Sequence, residues 1–131
     1  MATIPNSHAD ILKKRAFAHL CTLMRDGSPQ ASPVWVDTDG EHVIVNSAEG
    51  RVKDQNMRRD PRVAVSITDP DNPYRSMMIR GRVAKITEQD AAAHIDAMAK
   101  KYLDVDKYPY AAPGEVRVLY YIEPEHVAVW G

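Results

Sequence analysis

The sequence predicts a mainly β fold of the α+β class, a small antiparallel barrel with short helices packed outside it. Three observations carry this. About seven short apolar runs are separated by turn signals, the first ones by Asp-Gly turns that favour hairpins over βαβ units. Only one long segment has helical spacing, Ala91, Ile95, Met98 and Tyr102 at i, i+4, i+7 and i+11. A chain of 131 residues supports one domain, here 1–131, and seven antiparallel strands of that size leave exposed edges unless they close.

The elements follow in order. Ser7 ahead of His8–Arg15, with Asp10 three residues on, has the form of a capping box opening a short helix whose cationic end suits its C-terminus. Phe17–Met24 reads as a strand and Arg25-Asp26-Gly27 as its turn. Ala31–Asp37 is a second strand in which Pro33 marks an edge, a bulge or a ligand-facing position. A second turn, Asp37-Thr38-Asp39-Gly40, leads to Glu41–Ser47, so that the three strands make a meander. Gly50 breaks the pattern and Arg51–Arg59 is helical up to Asp60-Pro61.

Val63–Thr68 is a strand, Asp69–Pro73 a turn, and Ser76–Ile86 extended again, with Gly81 at a bulge or barrel bend. Thr87 and Asp90 suggest a second capping box before the Ala91–Tyr102 helix. Residues 103–114 read as a loop, and Val116–Ile122 and His126–Trp130 as two closing strands around Glu123-Pro124-Glu125.

Composition excludes several classes. Lys and Arg number 17 against 18 Asp and Glu, a net charge of −1, which argues against a bulk polyelectrolyte partner such as nucleic acid. One cysteine, Cys21, rules out an internal disulfide and a multi-cysteine zinc site; in an apolar strand it reads as a small buried hydrophobe. No apolar run reaches the roughly 20 residues of a membrane-spanning helix, and the N-terminus lacks signal-peptide character, so the expected location is the cytoplasm. His8, His19, His42, His94 and His126 show no metal spacing, and no metal site is expected. Walker, Gly-x-Gly-x-x-Gly and nucleophile-elbow motifs are missing, and no side chain is assigned as catalytic.

The charge is unevenly spread. Residues 51–85 hold nine basic residues against four acidic, a net of +5, while the remainder nets −6. That fits either a solvated face or a basic site for an anionic ligand. Within it lies Asn46-Ser47-Ala48-Glu49-Gly50-Arg51-Val52-Lys53, a strand end, a tight turn and a helix start. Backbone N–H groups, Ser47, Arg51 and Lys53 there suit a phosphate; a solvated helix turn with an incidental Arg-x-Lys fits the same residues.

Several segments, in order and spacing, resemble a known family. They are Gly27-x-Pro29-x-x-Ser32-Pro33-Val34-Trp35-Val36, Asp39-Gly40, Val45-Asn46-Ser47-Ala48-Glu49-Gly50-Arg51-x-Lys53-x-x-Asn56, Arg58-Arg59-Asp60-Pro61-Arg62-Val63-Ala64, Asp71–Arg75 and Ile79-Arg80-Gly81-Arg82-Val83. Together they resemble the pyridoxamine 5′-phosphate oxidase-like split β-barrel superfamily, in particular its deazaflavin (coenzyme F420)-dependent oxidoreductases. The resemblance implies a cofactor groove in a homodimer, with the tricycle along Ser32, Pro33, Val34 and Trp35 and along Asn46 and Ser47. It places Arg51 and Lys53 at the phosphate, with Asn56, Arg58 and Arg59 near the tail.

The implied activity is hydride transfer from reduced F420 to an electron-poor small molecule, the proton coming from solvent, the cofactor or a tyrosine such as Tyr74. Flavin mononucleotide (FMN) in an oxidase-like enzyme is the alternative, though the chain is short for that oxidase and shows no second phosphate site near its C-terminus. A non-catalytic cofactor-binding protein is a further one. Trp35 reads as core or interface packing and Trp130 as an interface or rim residue.

Overall fold

The computed structural model describes residues 2–131. A 3₁₀ turn (Ala9–Lys13) precedes β1 (Ala18–Leu23), β2 (Pro29–Val34), β3 (Asp37–Thr38) and β4 (Val43–Ala48). Then come α1 (Val52–Arg59), β5 (Arg62–Asp69), β6 (Asn72–Thr87), α2 (Ala91–Leu103) and β7 (Arg117–Trp130). All strand pairs are antiparallel, in the order β2-β1-β5-β6-β7-β4-β3.

Closure follows from that order. β2 and β3 lie at opposite edges of the seven-stranded sheet, yet only Trp35 and Val36 separate them in the chain. A flat sheet of seven strands would hold its edges about 29 Å apart, whereas three peptide steps span at most about 11 Å. The sheet therefore curls until its edges meet, giving the split β-barrel. Its interior is filled by alternate residues such as Leu20, Val45, Val65, Ile79, Val118 and Ile122, with Ile11, Leu12 and Met57 in the same core. Helix α2 lies outside, with Ala91 against Ile44 and Leu119, and Ile95, Met98 and Tyr102 against Trp35. The predicted helical face is the buried one.

The seam is held by α2. The Tyr102 hydroxyl accepts the Val36 N–H at 3.0 Å and donates to the Ala16 carbonyl at 2.7 Å. Beside it, the Lys101 ammonium donates to the carbonyls of Val36 (2.7 Å) and Leu12 (2.8 Å) and lies 4.8 Å from the Tyr102 ring centroid. Burial lowers Lys101 to about 8 against the partial support of Asp37, and raises Tyr102 to about 12.

The bulge predicted at Gly81 is present. The β6–β7 register shifts between Arg80 and Gly81, and a Cβ on Gly81 would lie 2.1 Å from the Glu123 carbonyl oxygen, so only glycine fits.

Several sequence expectations are corrected. The Ala31–Asp37 strand breaks after Val34, because the chain there leaves one sheet edge for the other, and β4 pairs with β7, which ends the meander. The two closing strands are one: Pro124 sits opposite Gly81 at the bulge, where the ladder does not need its missing N–H, and its carbonyl accepts from Ala2. Neither capping box forms. Ser7 bonds His8 while Asp10 pairs with Arg75, and the N-terminal segment is a 3₁₀ turn. Asp90 at the start of α2 is left-handed (φ 63°) with no side-chain cap, and Thr87 accepts the Gln89 N–H. Cys21 is only half-buried, since it points to the outer face of β1 while Leu20 points in. Among the described residues no helix is long and apolar enough to cross a membrane, and no group of three or more His, Cys, Asp or Glu is placed to hold a metal ion.

Two outcomes follow for the seam. Tyr102→Phe leaves the Val36 N–H and Ala16 carbonyl without their partner and should cost about 2 to 4 kcal/mol in urea unfolding at unchanged m-value. Lys101 releases its proton near pH 8 when folded but near 10.5 when unfolded, so between those values the unfolded chain binds more protons. Stability should therefore rise with pH across that window in the native sequence relative to Lys101→Met, measured by denaturation at pH 7.5 and 9.5.

Candidate functional site

A groove of about 190 Å³ opens where the end of β2, the β4 strand, the start of α1 and the loop before β7 come together. One wall is apolar and aromatic: Phe17, Pro33, Val34, Trp35, Ile95, Tyr108 and Tyr110. Trp35 is stacked on Tyr102 (centroids 4.9 Å, planes 8° apart) and meets Tyr108 edge-on at 6.0 Å. The other end is cationic and polar: Arg51, Lys53, Arg117 and Asn46. The volume is shaped for a flat apolar body joined to an anionic group.

The cations are held at the α1 start by a buried carboxylate. Gly50, at φ +91°, turns the chain out of β4 in a conformation that suits glycine. Asp54, 2 % exposed, then accepts the Gly50 N–H (2.9 Å), the Tyr120 hydroxyl (2.5 Å) and Arg58 Nε (2.9 Å). Burial would raise Asp54, but those three donors outweigh it and hold the carboxyl below its ordinary value. Burial and the nearby Asp54 charge push the Tyr120 hydroxyl up, so it stays a donor. The turn carrying Arg51 and Lys53 is thereby fastened to a residue inside the barrel.

The charges around the groove are unequal. Glu115 Oε1 lies 3.0 Å from Arg51 and 3.2 Å from Arg117, one carboxylate shared by two guanidinium groups. Lys53 has no carboxylate partner among the described residues, and burial together with Arg51 and Arg117 lowers its ammonium below the ordinary lysine range. Arg117, its side chain 8 % exposed, donates Nε to Asn46 Oδ1 at 2.9 Å and stacks 5.1 Å over Tyr108, while its Nη1 is buried with no hydrogen-bond acceptor. Such a cluster of under-compensated cations is electrostatically unfavourable until an anion joins it.

Of the ten residues singled out from sequence, Pro33, Val34, Trp35, Asn46, Arg51 and Lys53 line this groove. Ser32 and Ser47 do not. Ser47 alternates with Asn46 along β4, and both serine hydroxyls are buried without a hydrogen-bond partner. Asn56 and Arg59 also lie outside it: Asn56 donates to Thr22 and Met24, and Arg59 to Asn56 and the Leu23 carbonyl, tying α1 to β1. Tyr74, 85 % exposed, is beyond the groove at the β5–β6 hairpin, and Trp130 is exposed on β7.

The basic run is not one patch. Arg58 is paired with Asp54, Arg62 with Asp60, and Arg75 with Asp10 and Asp69, leaving Arg51 and Lys53 as its two groove cations. Arg117, Tyr108 and Tyr110 were absent from the sequence assignment. Two tyrosines around a proline in an otherwise polar loop were a signal for the aromatic wall; Arg117 joins only through the β4–β7 register, which sets it opposite Ala48.

Comparison with known proteins is consistent along the whole chain. The sequence model of the pyridoxamine 5′-phosphate oxidase family matches residues 4–131. A solved structure named F420 reductase is 30 % identical, covering 95 % of this chain and 98 % of its own, with a TM-score of 0.83. A conserved hypothetical protein of Mycobacterium tuberculosis is 23 % identical over 99 % of this chain and 86 % of its own, at a TM-score of 0.75. HupZ of Group A Streptococcus, 16 % identical over 96 % of this chain and 93 % of its own, superposes at 0.65. The last two share the fold.

Removal of the Asp54 charge tests the anchor. Asp54→Asn should lower stability by about 2 to 4 kcal/mol, because Tyr120, Gly50 and Arg58 lose a common acceptor. Since folding depresses the Asp54 carboxyl, its contribution is present above the ordinary carboxylate range and fades as pH falls through the depressed value. The variant should therefore show a shallower loss of stability on acidification, followed by urea midpoints between pH 7 and pH 3.

Proposed function

We propose a function from one premise: the chain belongs to the pyridoxamine 5′-phosphate oxidase family, a family of flavin-type oxidoreductases. On this reading the groove binds coenzyme F420, and the protein is a reductase acting on an electron-poor small organic acceptor. The observation that carries it is the two-part lining, an aromatic wall ending in three cations, two of which share the one carboxylate of Glu115. A flat tricycle fits the wall, and a phosphodiester with a carboxylate tail uses more positive charge than the single phosphate of FMN. The 30 % identity to a protein named F420 reductase supports the same choice.

When bound, the reduced deazaflavin supplies hydride from its C5 carbon to the acceptor. The chain's own part is placement. Arg51, Lys53 and Arg117 hold the phosphate end; Pro33, Val34, Trp35 and Tyr108 pack the ring and exclude water from it. The working unit on this reading is a homodimer. Its support is the outer face of the sheet, where Pro33, His19, Ser66, Met78 and Ala128 lie side by side across β2, β1, β5, β6 and β7, with the row Ala31, Cys21, Ala64, Arg80 and His126 beside them. Pro33 belongs both to that face and to the groove.

Fluorescence titration with F420 and with FMN is the deciding experiment. F420 should bind the more tightly, and Arg51→Ala and Lys53→Ala should each weaken it by roughly tenfold or more, the value of one charge-assisted contact. Tight binding of FMN alone would overturn the cofactor assignment. Binding without turnover of any carbonyl, quinone or nitroaromatic acceptor would leave a cofactor carrier in place of an enzyme. Sedimentation should give a dimer, and Ala64→Arg on the outer face should shift it to monomer.

A further inference from the structure

We infer that His94 is a positioning residue: held by Asp37, it accepts from the side-chain amide of Asn46 and, together with the Ala91 carbonyl, holds that amide in place, and Asn46 in turn aims Arg117 into the groove. The inference rests on the reading of the groove as an anion site and extends it to residues outside the lining.

The chain of contacts is continuous. His94 Nε2 lies 2.9 Å from Asp37 Oδ2, and His94 Nδ1 lies 3.1 Å from Asn46 Nδ2. Asn46 Nδ2 also donates to the Ala91 carbonyl at 2.9 Å, and Asn46 Oδ1 accepts Arg117 Nε at 2.9 Å. The assignment of each atom is forced by its partners. Turning the Asn46 amide over would set its NH₂ against the Arg117 Nε–H and its oxygen against the Ala91 carbonyl, replacing two hydrogen bonds with two repulsions. With the amide so placed, His94 Nδ1 must be the acceptor and Nε2 must carry the hydrogen that Asp37 receives. Burial would raise Asp37, yet the hydrogen bonds from His94 and the Thr38 N–H bring it below the ordinary range, so it is a carboxylate able to select that tautomer.

The end of the chain is where ligand would act. Arg117 is pinned through Nε and lies over Tyr108, but its buried Nη1, though 3.2 Å from Glu115 Oε1, is not aligned for a hydrogen bond and has no acceptor. One edge of the guanidinium is thus fixed by the protein and one donor is left over. His94 is on α2, the element before β7, and Asp37 is on β3 at the sheet edge. Asp37 directly follows the Trp35–Val36 connection and β3 pairs with β4, so the arrangement links the seam to the direction of a groove cation.

Three variants separate positioning from packing. In His94→Asn the new carbonyl takes the place of Nδ1 and keeps an acceptor for Asn46 while losing Asp37. In His94→Gln the longer amide keeps the reach to Asp37 and loses the Asn46 contact. His94→Leu loses both. The first readout needs no ligand: the Arg117 Nε–H resonance of the free protein, whose exchange with solvent should be slow in the native sequence and in His94→Asn, and faster in His94→Gln and His94→Leu. The second is titration with F420 and FMN, where His94→Leu and His94→Gln should bind roughly tenfold more weakly and His94→Asn within about threefold of the native protein.

Unchanged Nε–H exchange in both His94→Gln and His94→Leu would falsify the positioning role, as would equal losses in all three variants. If His94→Leu fails to fold, the contrast between Asn and Gln decides. Failure of the native protein to bind either cofactor sinks the anion-site reading, and the Nε–H exchange still decides whether His94 positions Arg117.

Discussion

The connection Trp35–Val36 governs the molecule. Two residues span the distance between the edge strands of a seven-stranded sheet, so the sheet has no flat alternative and every other element is placed by its closure. The seam made in this way leaves main-chain groups that neither β2 nor β3 pairs. They are met from outside by Tyr102 and Lys101, which between them engage Ala16, Leu12 and both polar groups of Val36. A tyrosine does this better than an aliphatic residue because one hydroxyl both donates and accepts. Its ring stacks on Trp35, whose other contacts form the aromatic wall of the groove. The same residue therefore closes the barrel and supports the site.

The barrel's other contribution is to separate charge from core at the α1 start. Consecutive residues there face opposite ways. Lys53 is turned to the groove, whereas Asp54 is buried against Tyr120; on β4, Asn46 is turned to the groove and Ser47 away from it. A buried carboxylate with three donors is rigid, and it locates the adjacent cations without drawing charge out of the groove, because its own cationic partner is Arg58. Glu115, by contrast, is divided between Arg51 and Arg117, and Lys53 lies near both with no carboxylate partner among the described residues.

How far the sequence disclosed this depends on the range of the interactions. Local signals were read well: the Asp-Gly turns, the one apolar helical face ending at Tyr102, the glycine bulge at Gly81, and the turn and cations at Gly50–Lys53. The failures are non-local. Pro124 looked like a strand break because nothing nearby says that its partner is the bulge at Gly81. Asn56 and Arg59, expected near a cofactor tail, lie outside the groove and bond Thr22 and Leu23, more than 30 residues away, contacts that no local signal announces. Arg117 was missed for the converse reason: only the β4–β7 register carries it to the groove. Net charge over a window was the weakest guide, since it does not say where the charges point: Arg58, Arg62 and Arg75 are paired with Asp54, Asp60 and Asp69 away from the groove, and Asp10 from outside the run pairs with Arg75 as well.

The uncompensated cations tie binding to stability. In the free protein Arg51, Lys53 and Arg117 repel one another at partly desolvated positions, and the lowered Lys53 ammonium expresses that cost. Removing Lys53, which has no carboxylate partner among the described residues, relieves the free protein while it weakens attraction for an anion, so that substitution affects folding and binding with opposite sign. The seam and the Asp54 anchor supply the stability against which this repulsion is held. A ligand that supplies negative charge lowers the repulsion and adds its binding free energy to the folded state alone. The groove is in this sense preorganised: the turn that carries Arg51 and Lys53 is fastened by Asp54, and Arg117 is held by Asn46.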